Sequence, residues 1–225
     1  MERIISVAID GPSGAGKSTI ARAAAKRFGL IYVDTGAIYR TVAHAVHLAG
    51  KECTDGDAVR ALLPTIRISM RYDEQGVQRM LLGGEDVSEA IRLPENSKRT
   101  SQVSAMPEVR DFLMDMQRNL AATHSVVMDG RDIGTVVFPH AELKVFVTAS
   151  AQVRAQRRYD ELQQKGMPAD YDEILRNVQE RDYIDSHREV SPLRQADDAL
   201  LLDNSHMTIP EQNEWLMQRF LERTA

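Results

Sequence analysis

A glycine-rich segment between an apolar run and a helix-forming stretch constrains this chain more than any other feature. It follows the run Ile4–Ile9 and reads GPSGAGKST. Glycines let backbone N–H groups converge on phosphate oxygens, the lysine adds a point charge, and the serine hydroxyl can bind Mg²⁺. The segment therefore predicts a nucleoside triphosphate site in strand–loop–helix context. Its expected contacts are Gly11, Pro12, Ser13, Gly14, Ala15, Gly16, Lys17, Ser18 and Thr19.

Composition limits the class of protein around this segment. The 225 residues are 43% hydrophobic and 27% charged, as in ordinary globular domains, and the net charge of −5 argues against a broad nucleic-acid surface. No stretch approaches the ~20 apolar residues of a membrane span, and Met1–Ile5 lacks a signal-peptide pattern. We therefore expect a cytoplasmic monomer, without membrane or nucleic-acid partners, in which the lone Cys53 is a small buried residue.

Five short β-rich runs recur along the chain, with helix-like stretches between most of them. Their apolar residues are continuous rather than alternating, which favours strands covered on both faces in a parallel sheet. The predicted fold is an α/β P-loop type with three layers and a mainly parallel five-stranded sheet. The runs are Ile4–Ile9, Leu30–Val33, Ser125–Met128, Leu143–Ala149 and Ala199–Leu202.

The region from Ile66 to Val87 has a different pattern. Two short strands flank the turn-forming segment Asp73–Gly76, which predicts a small antiparallel insertion. The chain then reads as one kinase-type domain with a core at about 1–60 and 122–225, an insertion at about 61–105 and a helical lid at about 151–170. Helices are expected at Glu95–Ala105, Pro107–Ala121, Ala151–Lys165 and Tyr171–His187, and another begins with the capping box of Thr208 and Glu211.

Two polar segments follow predicted strands, where ligands of open α/β sheets gather. The first is DTGAIYR at 34–40, in which Asp34 or Thr35 has the alternative role of capping the next helix. The second is DGRDIGT at 129–135, which alternatively forms a turn closed by local ion pairs. Asp129, at the strand end, is a candidate partner of Mg²⁺ through water.

Two groups of arginines lie at helical spacing. Arg154, Arg157 and Arg158 share one helix face and are under-neutralised by sequence neighbours, so they form either a solvated basic face or cations for phosphate transfer. Arg181, Asp185 and Arg188 share another face. On residue types alone, we interpret this second face as an exposed ladder of ion pairs.

Taken together, the segments resemble the bacterial cytidylate kinase family across nearly the whole chain. The shared stretches are IDGPSGAGKST, DTGAIYR, GEDVSEAIR, SQVSAMPEVR, DGRDIGTVVFP and RDYIDSHREVSPL. The resemblance implies transfer of the γ-phosphoryl group of ATP to CMP or dCMP with Mg²⁺. It also places the antiparallel insertion in the acceptor-binding region.

The resemblance further implies roles for individual residues. Arg40, Arg131 and Arg188 match acceptor-phosphate ligands, Arg181 and Asp185 match sugar contacts, and Ser101, Arg110 and Asp132 match cytosine-reading residues. Lys17 would hold the β- and γ-phosphates, and Arg154, Arg157 or Arg158 would close over the transferring group. Lys17, Arg131, Arg154, Arg157, Arg158 and Arg188 are therefore the candidate catalytic residues, and Thr35, Gly36 and Tyr39 join the candidate acceptor contacts.

Cytosine chemistry agrees with that base assignment. Asp132 can accept a hydrogen bond from the exocyclic amine, and Arg110 can donate to the ring acceptors, whereas uracil would turn a carbonyl toward the carboxylate. Two alternatives remain at this point: a P-loop kinase for UMP, AMP or a non-nucleotide acceptor, and a GTP-dependent switch protein. The chain contains no Asn–Lys pair of the kind used in guanine recognition.

Overall fold

A five-stranded sheet organises the part of the chain that carries the glycine-rich segment. The computed structural model describes residues 3–224, so Met1 and Glu2, on which the signal-peptide expectation partly rests, lie outside it. The strands of this sheet are β1 Ser6–Asp10, β2 Ile31–Asp34, β6 Val126–Gly130, β7 Leu143–Thr148 and β8 Leu200–Asp203. The strand order is β2-β6-β1-β7-β8, and β1 pairs in parallel with both β6 and β7.

Continuous apolar sequence explains the central position of β1. Val7, Ala8 and Ile9 are all buried, as expected for a strand covered by helices on both faces. On one such helix Phe28 stacks against Phe220, with ring centroids 3.9 Å apart. The predicted P-loop α/β architecture is confirmed. Its helices are α1 Lys17–Phe28, α2 Thr35–Leu48, α3 Gly56–Leu62, α4 Glu95–Ser104, α5 Pro107–Thr123, α6 Ala151–Gln164, α7 Tyr171–His187 and α8 Ile209–Thr224.

The predicted antiparallel insertion is also confirmed. Strands β3 Ile68–Tyr72 and β4 Gln78–Leu82 pair across a turn in which Asp73 Oδ1 accepts hydrogen bonds from two backbone N–H groups. A third strand, β5 Glu85–Asp86, was not predicted. It is two residues long, charged and exposed, so it carries no apolar pattern that sequence reasoning could detect.

Local capping fixes several helix ends at the predicted positions. Helix α5 begins at Pro107, as expected for a residue whose fixed φ suits the first helical turn. At the start of α8, the backbone N–H of Thr208 donates to Glu211 Oε2 at 2.7 Å, and Glu211 N donates back to Thr208 Oγ1. The predicted capping box is therefore present.

The chain divides into two compact units. The first contains the described residues up to Tyr32 and those from Ala121 onward, and the second contains Val33–Leu120. The insertion and lid, as functional regions with the predicted boundaries, stay predictions. Within residues 3–224, no helix has both the length and the apolar character needed to cross a bilayer.

Candidate active site

The glycine-rich segment forms the loop between β1 and α1, and three of its glycines are required by geometry. Gly14 and Gly16 have φ values of 76° and 86°, in the left-handed region. A Cβ atom on Gly11 would lie 1.9 Å from the carbonyl oxygen of Val147. Gly16 precedes α1 without a side-chain cap, so the first N–H groups of that helix form an anion-binding N-terminus.

Lys17 is buried at the start of α1. Its Nζ donates to the carbonyl oxygen of Pro12 at 2.8 Å, which folds the side chain back over the loop. Burial, and then the positive charge of Arg131, lower the pKa of Lys17 to about 7, against the opposing effect of nearby carboxylates. A bound polyphosphate would favour the charged ammonium form here.

Asp129 lies at the end of β6 and is held by two hydroxyl groups. Ser18 Oγ donates to Asp129 Oδ2 at 2.9 Å, and the Tyr32 hydroxyl donates to Asp129 Oδ1 at 2.9 Å. The structure thus brings together the two residues predicted to bind Mg²⁺. A hydroxyl and a carboxylate are oxygen ligands of the type that Mg²⁺ prefers, so this pair fits that ion.

Asp10 is a buried carboxylate that the sequence analysis missed. It ends β1 and accepts hydrogen bonds from the backbone N–H groups of Ile133 and Gly134 at 2.8 and 2.7 Å. Burial raises the pKa of Asp10 to about 6, and the charge of Asp132 also raises it, against the effect of the two N–H groups and Lys17. Its position at the end of a predicted strand, directly before Gly11, could have identified it as a candidate site residue.

Asp10 thereby holds the segment after β6 in an unusual form. Ile133–Val137 is a single π-helical turn, and Asp132 precedes it with its carbonyl oxygen accepting from Val136 and Val137. π-Helical turns are frequent at functional sites. Asp132, the predicted base-reading residue, is buried directly before this turn. Its backbone is held in place because Asp10 bonds the next two residues, Ile133 and Gly134.

Arg131, which is partly exposed, forms an ion pair with the buried Asp185. Arg131 Nε donates to Asp185 Oδ2 at 2.7 Å, and Asp185 is only 5% exposed. Burial alone would raise the pKa of Asp185, but Arg131 and then Arg181 and Arg188 hold it below its usual value. The interpretation of Arg181, Asp185 and Arg188 as an exposed ladder is therefore wrong.

Two arginines of these segments have further contacts. Arg131, in the segment 129–135, pairs with Asp185, which lies 54 residues away in the sequence. Arg188 lies one residue beyond α7 in extended conformation, and its Nε donates to the carbonyl oxygen of Ser191 at 2.7 Å. The helix ends at His187, as expected, so Arg188 does not continue the helix face of Arg181 and Asp185.

The three arginines of α6 have different surroundings. Arg154 is buried, donates to the carbonyl oxygens of Ala149 and Ser13 and pairs with Asp182 of α7. Sequence neighbours do not neutralise this residue, as expected, but Asp182 of another helix does. Arg158 pairs with Glu161 at 2.7 Å.

Arg157 has an uncharged partner instead. Its Nη1 and Nη2 donate to the side-chain and main-chain oxygens of Asn204 at 3.1 and 3.0 Å. All three arginines border one cavity of about 330 Å³ beside the glycine-rich loop. The cavity is lined by Gly14, Gly16, Lys17, Ser18, Thr19, Arg154, Arg157, Arg158 and Glu161.

The second unit carries the segment 34–40. Asp34 caps α2, with Oδ1 accepting from Ala37 N at 2.8 Å, and its Oδ2 pairs with Arg40 Nη2 at 2.7 Å. The alternative capping role of Asp34 is thus present. A Cβ on Gly36 would lie 3.0 Å from Arg40 Nη1, so glycine permits this close approach. Arg40 Nε is buried without a hydrogen-bond partner.

The remaining acceptor candidates lie on neighbouring helices of this unit. The Arg110 guanidinium lies 5.4 Å from the centroid of the Tyr39 ring, and its Nη1 donates to the carbonyl oxygen of Ser104 at 2.9 Å. Ser101, one turn away on α4, is buried, as is Thr35. The cation–π contact of Arg110 with Tyr39 holds the guanidinium over the ring.

These features define a class of protein. A glycine-rich loop between the central parallel strand and a helix, with a buried lysine, a Ser–Asp oxygen pair and arginines around one cavity, is the donor site of a P-loop phosphotransferase. A family model described as "Cytidylate kinase" matches residues 7–222. The chain belongs to the cytidylate kinase family.

Individual relatives agree with the family match. The chain is 51% identical to a cytidylate kinase of Phocaeicola vulgatus and 50% identical to one of Bacteroides fragilis, each over 96% of both chains. Among solved structures, an uncharacterised protein of Eubacterium ventriosum is 11% identical, with a TM-score of 0.50 over 98% of this chain and 100% of that one. This last likeness concerns the fold alone.

Proposed function

We propose that this protein transfers the γ-phosphoryl group of ATP to CMP or dCMP, giving ADP and CDP or dCDP. Membership of the cytidylate kinase family together with the loop and cavity geometry supports this reaction. The single observation that carries the donor half is the buried Lys17 at the uncapped N-terminus of α1, beside a cavity bordered by three arginines.

The donor half binds and neutralises a polyphosphate. The loop glycines allow backbone N–H groups to surround phosphate oxygens, and Lys17 supplies a charge for the β- and γ-phosphates. Ser18 and Asp129 would hold Mg²⁺, which adds positive charge at the phosphates. Arg157 and Arg158, on the wall of the cavity, would lie against the transferring group.

The acceptor half supplies directional charge and base recognition. Arg40, Arg131 and Arg188 are the proposed ligands of the CMP phosphate, because a guanidinium binds phosphate through two parallel hydrogen bonds. Arg181 and Asp185 are proposed to contact the sugar, and Ser101, Arg110 and Asp132 the cytosine. Thr35, Gly36 and Tyr39 complete the proposed contacts around Arg40.

No covalent enzyme intermediate is needed for this chemistry. Transfer in line from one phosphate oxygen to another requires that two anions be aligned, water excluded and developing charge neutralised. Arginines and Lys17 perform these tasks without acting as nucleophiles. Removal of one of these cations should therefore slow phosphoryl transfer, and no phosphorylated enzyme should accumulate.

An acceptor panel tests the proposal. The purified protein is mixed with ATP, Mg²⁺ and one of CMP, dCMP, UMP, AMP or GMP, and ADP release is measured. We expect release with CMP and dCMP and at least about tenfold less with UMP, because the uracil carbonyl leaves buried polar groups unpaired. Equal rates with UMP or AMP would assign another acceptor, and much tighter binding of GTP than ATP would favour a switch protein.

A variant pair tests the donor half directly. Lys17→Ala should impair transfer at saturating CMP by at least about a hundredfold, since it removes a charge used on the transferring phosphate. Lys26→Ala, an exposed change on the same helix, is the matched control. Normal turnover of the Lys17 variant would contradict the mechanism.

We further propose that the protein works as a monomer in the cytoplasm. The net charge of −5 argues against a broad nucleic-acid surface and is compatible with small anionic substrates bound at a local basic site. Sedimentation at working concentration, with and without ATP, measures the mass in solution. A dimer mass would contradict the monomer proposal.

A further inference from the structure

Asn204 occupies a junction between the glycine-rich loop and helix α6. It follows β8 directly, is 0% exposed, and its backbone N–H donates to the carbonyl oxygen of Thr148 at 2.9 Å. The main chain is thereby anchored to β7. Because the residue is fully buried, its side chain is oriented by hydrogen bonds to neighbouring residues and not by contact with solvent.

The side-chain amide of Asn204 reaches the middle of the loop. Nδ2 donates to the carbonyl oxygen of Ala15 at 2.8 Å and to Gln212 Oε1 of α8 at 2.8 Å. A Cβ on Gly16 would lie 3.4 Å from the same nitrogen. The amide therefore contacts the segment whose backbone must keep its shape to bind phosphate.

The oxygens of Asn204 hold Arg157. Arg157 Nη1 donates to Oδ1 at 3.1 Å, and Nη2 donates to the main-chain oxygen at 3.0 Å. Two donors of one planar group on two acceptors of one residue fix both the position and the tilt of the guanidinium. Of the α6 arginines, Arg154 and Arg158 have carboxylate partners, whereas Arg157 keeps its charge uncompensated by this contact.

We infer that Asn204 is a positioning residue that fixes the cation of Arg157 relative to the phosphate-binding loop. Every polar atom of its amide is used: the nitrogen on the loop and α8, the oxygen on the arginine. An arginine on a long side chain samples many rotamers, and attaching it in advance lowers the entropy lost when phosphate binds. This inference rests on the proposed function, since it assigns the cavity to ATP.

A purely structural role predicts something different. If Asn204 only fills a buried polar position, its replacement lowers the free energy of unfolding and leaves the folded fraction with normal kinetics. If it positions Arg157, the folded variant has weaker ATP binding and slower transfer. Replacement of both residues then costs no more than replacement of Arg157 alone.

The test is a double-mutant cycle on Asn204→Ala and Arg157→Ala. ATP affinity is measured by calorimetry without CMP, and kcat/KM for ATP by ADP release at saturating CMP, below the melting temperature of each variant. We expect each single variant to lose about ten- to a hundredfold in kcat/KM for ATP, with the double variant within about threefold of Arg157→Ala. Asn177→Ala, an exposed asparagine of α7, is the matched control.

Two conservative variants keep the inference testable if Asn204→Ala does not fold. Arg157→Lys keeps the charge but removes the two-point attachment, so it should lose nearly as much kcat/KM for ATP as Arg157→Ala. Asn204→Asp keeps an acceptor for Arg157 but opposes the Ala15 carbonyl with a carboxylate, so it should weaken ATP binding. Full activity of Arg157→Lys, or multiplying losses in the cycle, would overturn the inference.

The outcomes separate this inference from the proposed function. Absence of CMP-dependent ADP release by the unmodified protein would reject the proposed reaction, whereas the calorimetric cycle would still report on ATP. Normal release by the unmodified protein, with unchanged ATP affinity in all Asn204 and Arg157 variants, would reject the positioning role alone.

Discussion

The Ser18 hydroxyl donates a 2.9 Å hydrogen bond to Asp129 Oδ2, which joins the first turn of α1 to the end of β6. The Tyr32 hydroxyl occupies the other carboxylate oxygen. Asp129 is therefore oriented before any ion arrives. If Mg²⁺ accompanies ATP as proposed, an arrangement of this kind lowers the reorganisation needed to bind the ion.

Ser18→Ala should raise the Mg²⁺ concentration needed for half-maximal ADP release by about tenfold or more, because outer-shell and ligand changes at metal sites cost about 10–100-fold. The measurement is a Mg²⁺ titration at fixed ATP and CMP. Ser186→Ala, an exposed serine that bonds only within α7, is the matched control. An unchanged Mg²⁺ requirement would remove Ser18 from the metal site.

Asp185→Ala should lower the free energy of unfolding by about 3 kcal/mol, because it leaves the partly buried Arg131 beside other cations without its carboxylate. The pKa of Asp185 is held below its usual value, so its contribution is fully present above about pH 4 and is lost as pH falls through the lowered pKa. Urea unfolding at about pH 7 and pH 3 measures both effects. Asp172→Ala, exposed on the same helix, should change stability by less than about 1 kcal/mol.

ATP binding should take up a proton at about pH 8. The pKa of Lys17 is lowered to about 7, so the ligand-free side chain is mostly neutral at that pH, and phosphate binding requires its ammonium form. Affinity for ATP should accordingly decrease as pH rises above about 7. Calorimetry in two buffers of different ionisation enthalpy measures the uptake, which should disappear in Lys17→Met; equal uptake in that variant would locate the proton elsewhere.

Asp10→Asn should alter the pH dependence of stability in a defined direction. The pKa of Asp10 is raised to about 6 in the folded protein, so the folded state binds more protons than the unfolded state between about pH 4 and pH 6. The unmodified protein therefore loses stability from this group as pH rises through that window, by up to about 1.4 kcal/mol for each step of one in pH. The stability of Asp10→Asn relative to the unmodified protein should rise over the same window in urea unfolding.

Asp132→Asn should reduce discrimination between CMP and UMP by about tenfold or more, because an amide can donate to a uracil carbonyl where a carboxylate cannot. The ratio of kcat/KM values for the two acceptors is the readout. Asp111→Asn provides a control on the exposed side of α5. A constant ratio would show that Asp132 does not read the base.

Much of the fold was predictable because its signals are local. The parallel strands are continuous apolar runs, the loop is set by Gly14 and Gly16, and the start of α8 is fixed by the capping box of Thr208 and Glu211. Each signal lies within a few residues of the structure it specifies. Strand β5 lacked such a signal and was missed.

The parts of the site that were not predictable depend on distant partners. Asp185 resembled a surface residue because its cation, Arg131, lies 54 positions away, and the acid that neutralises Arg154 comes from another helix. Asp10 holds Ile133 and Gly134, and Asn204 holds Ala15 and Arg157, all of which lie more than 40 residues away in the sequence. Residue spacing does not predict burial, and burial determines how strongly the loss of one partner of an ion pair destabilises the protein.

The clash at Gly11 changes how the glycine-rich signature should be interpreted. This glycine is demanded by the carbonyl of a neighbouring strand, at 1.9 Å from any added Cβ, whereas Gly16 is demanded by a left-handed backbone before the helix. One glycine of a motif used to recognise nucleotide sites is thus required for the packing of β1 against β7, independently of nucleotide binding. In a saturation library, position 11 would be intolerant even under selection for folding alone.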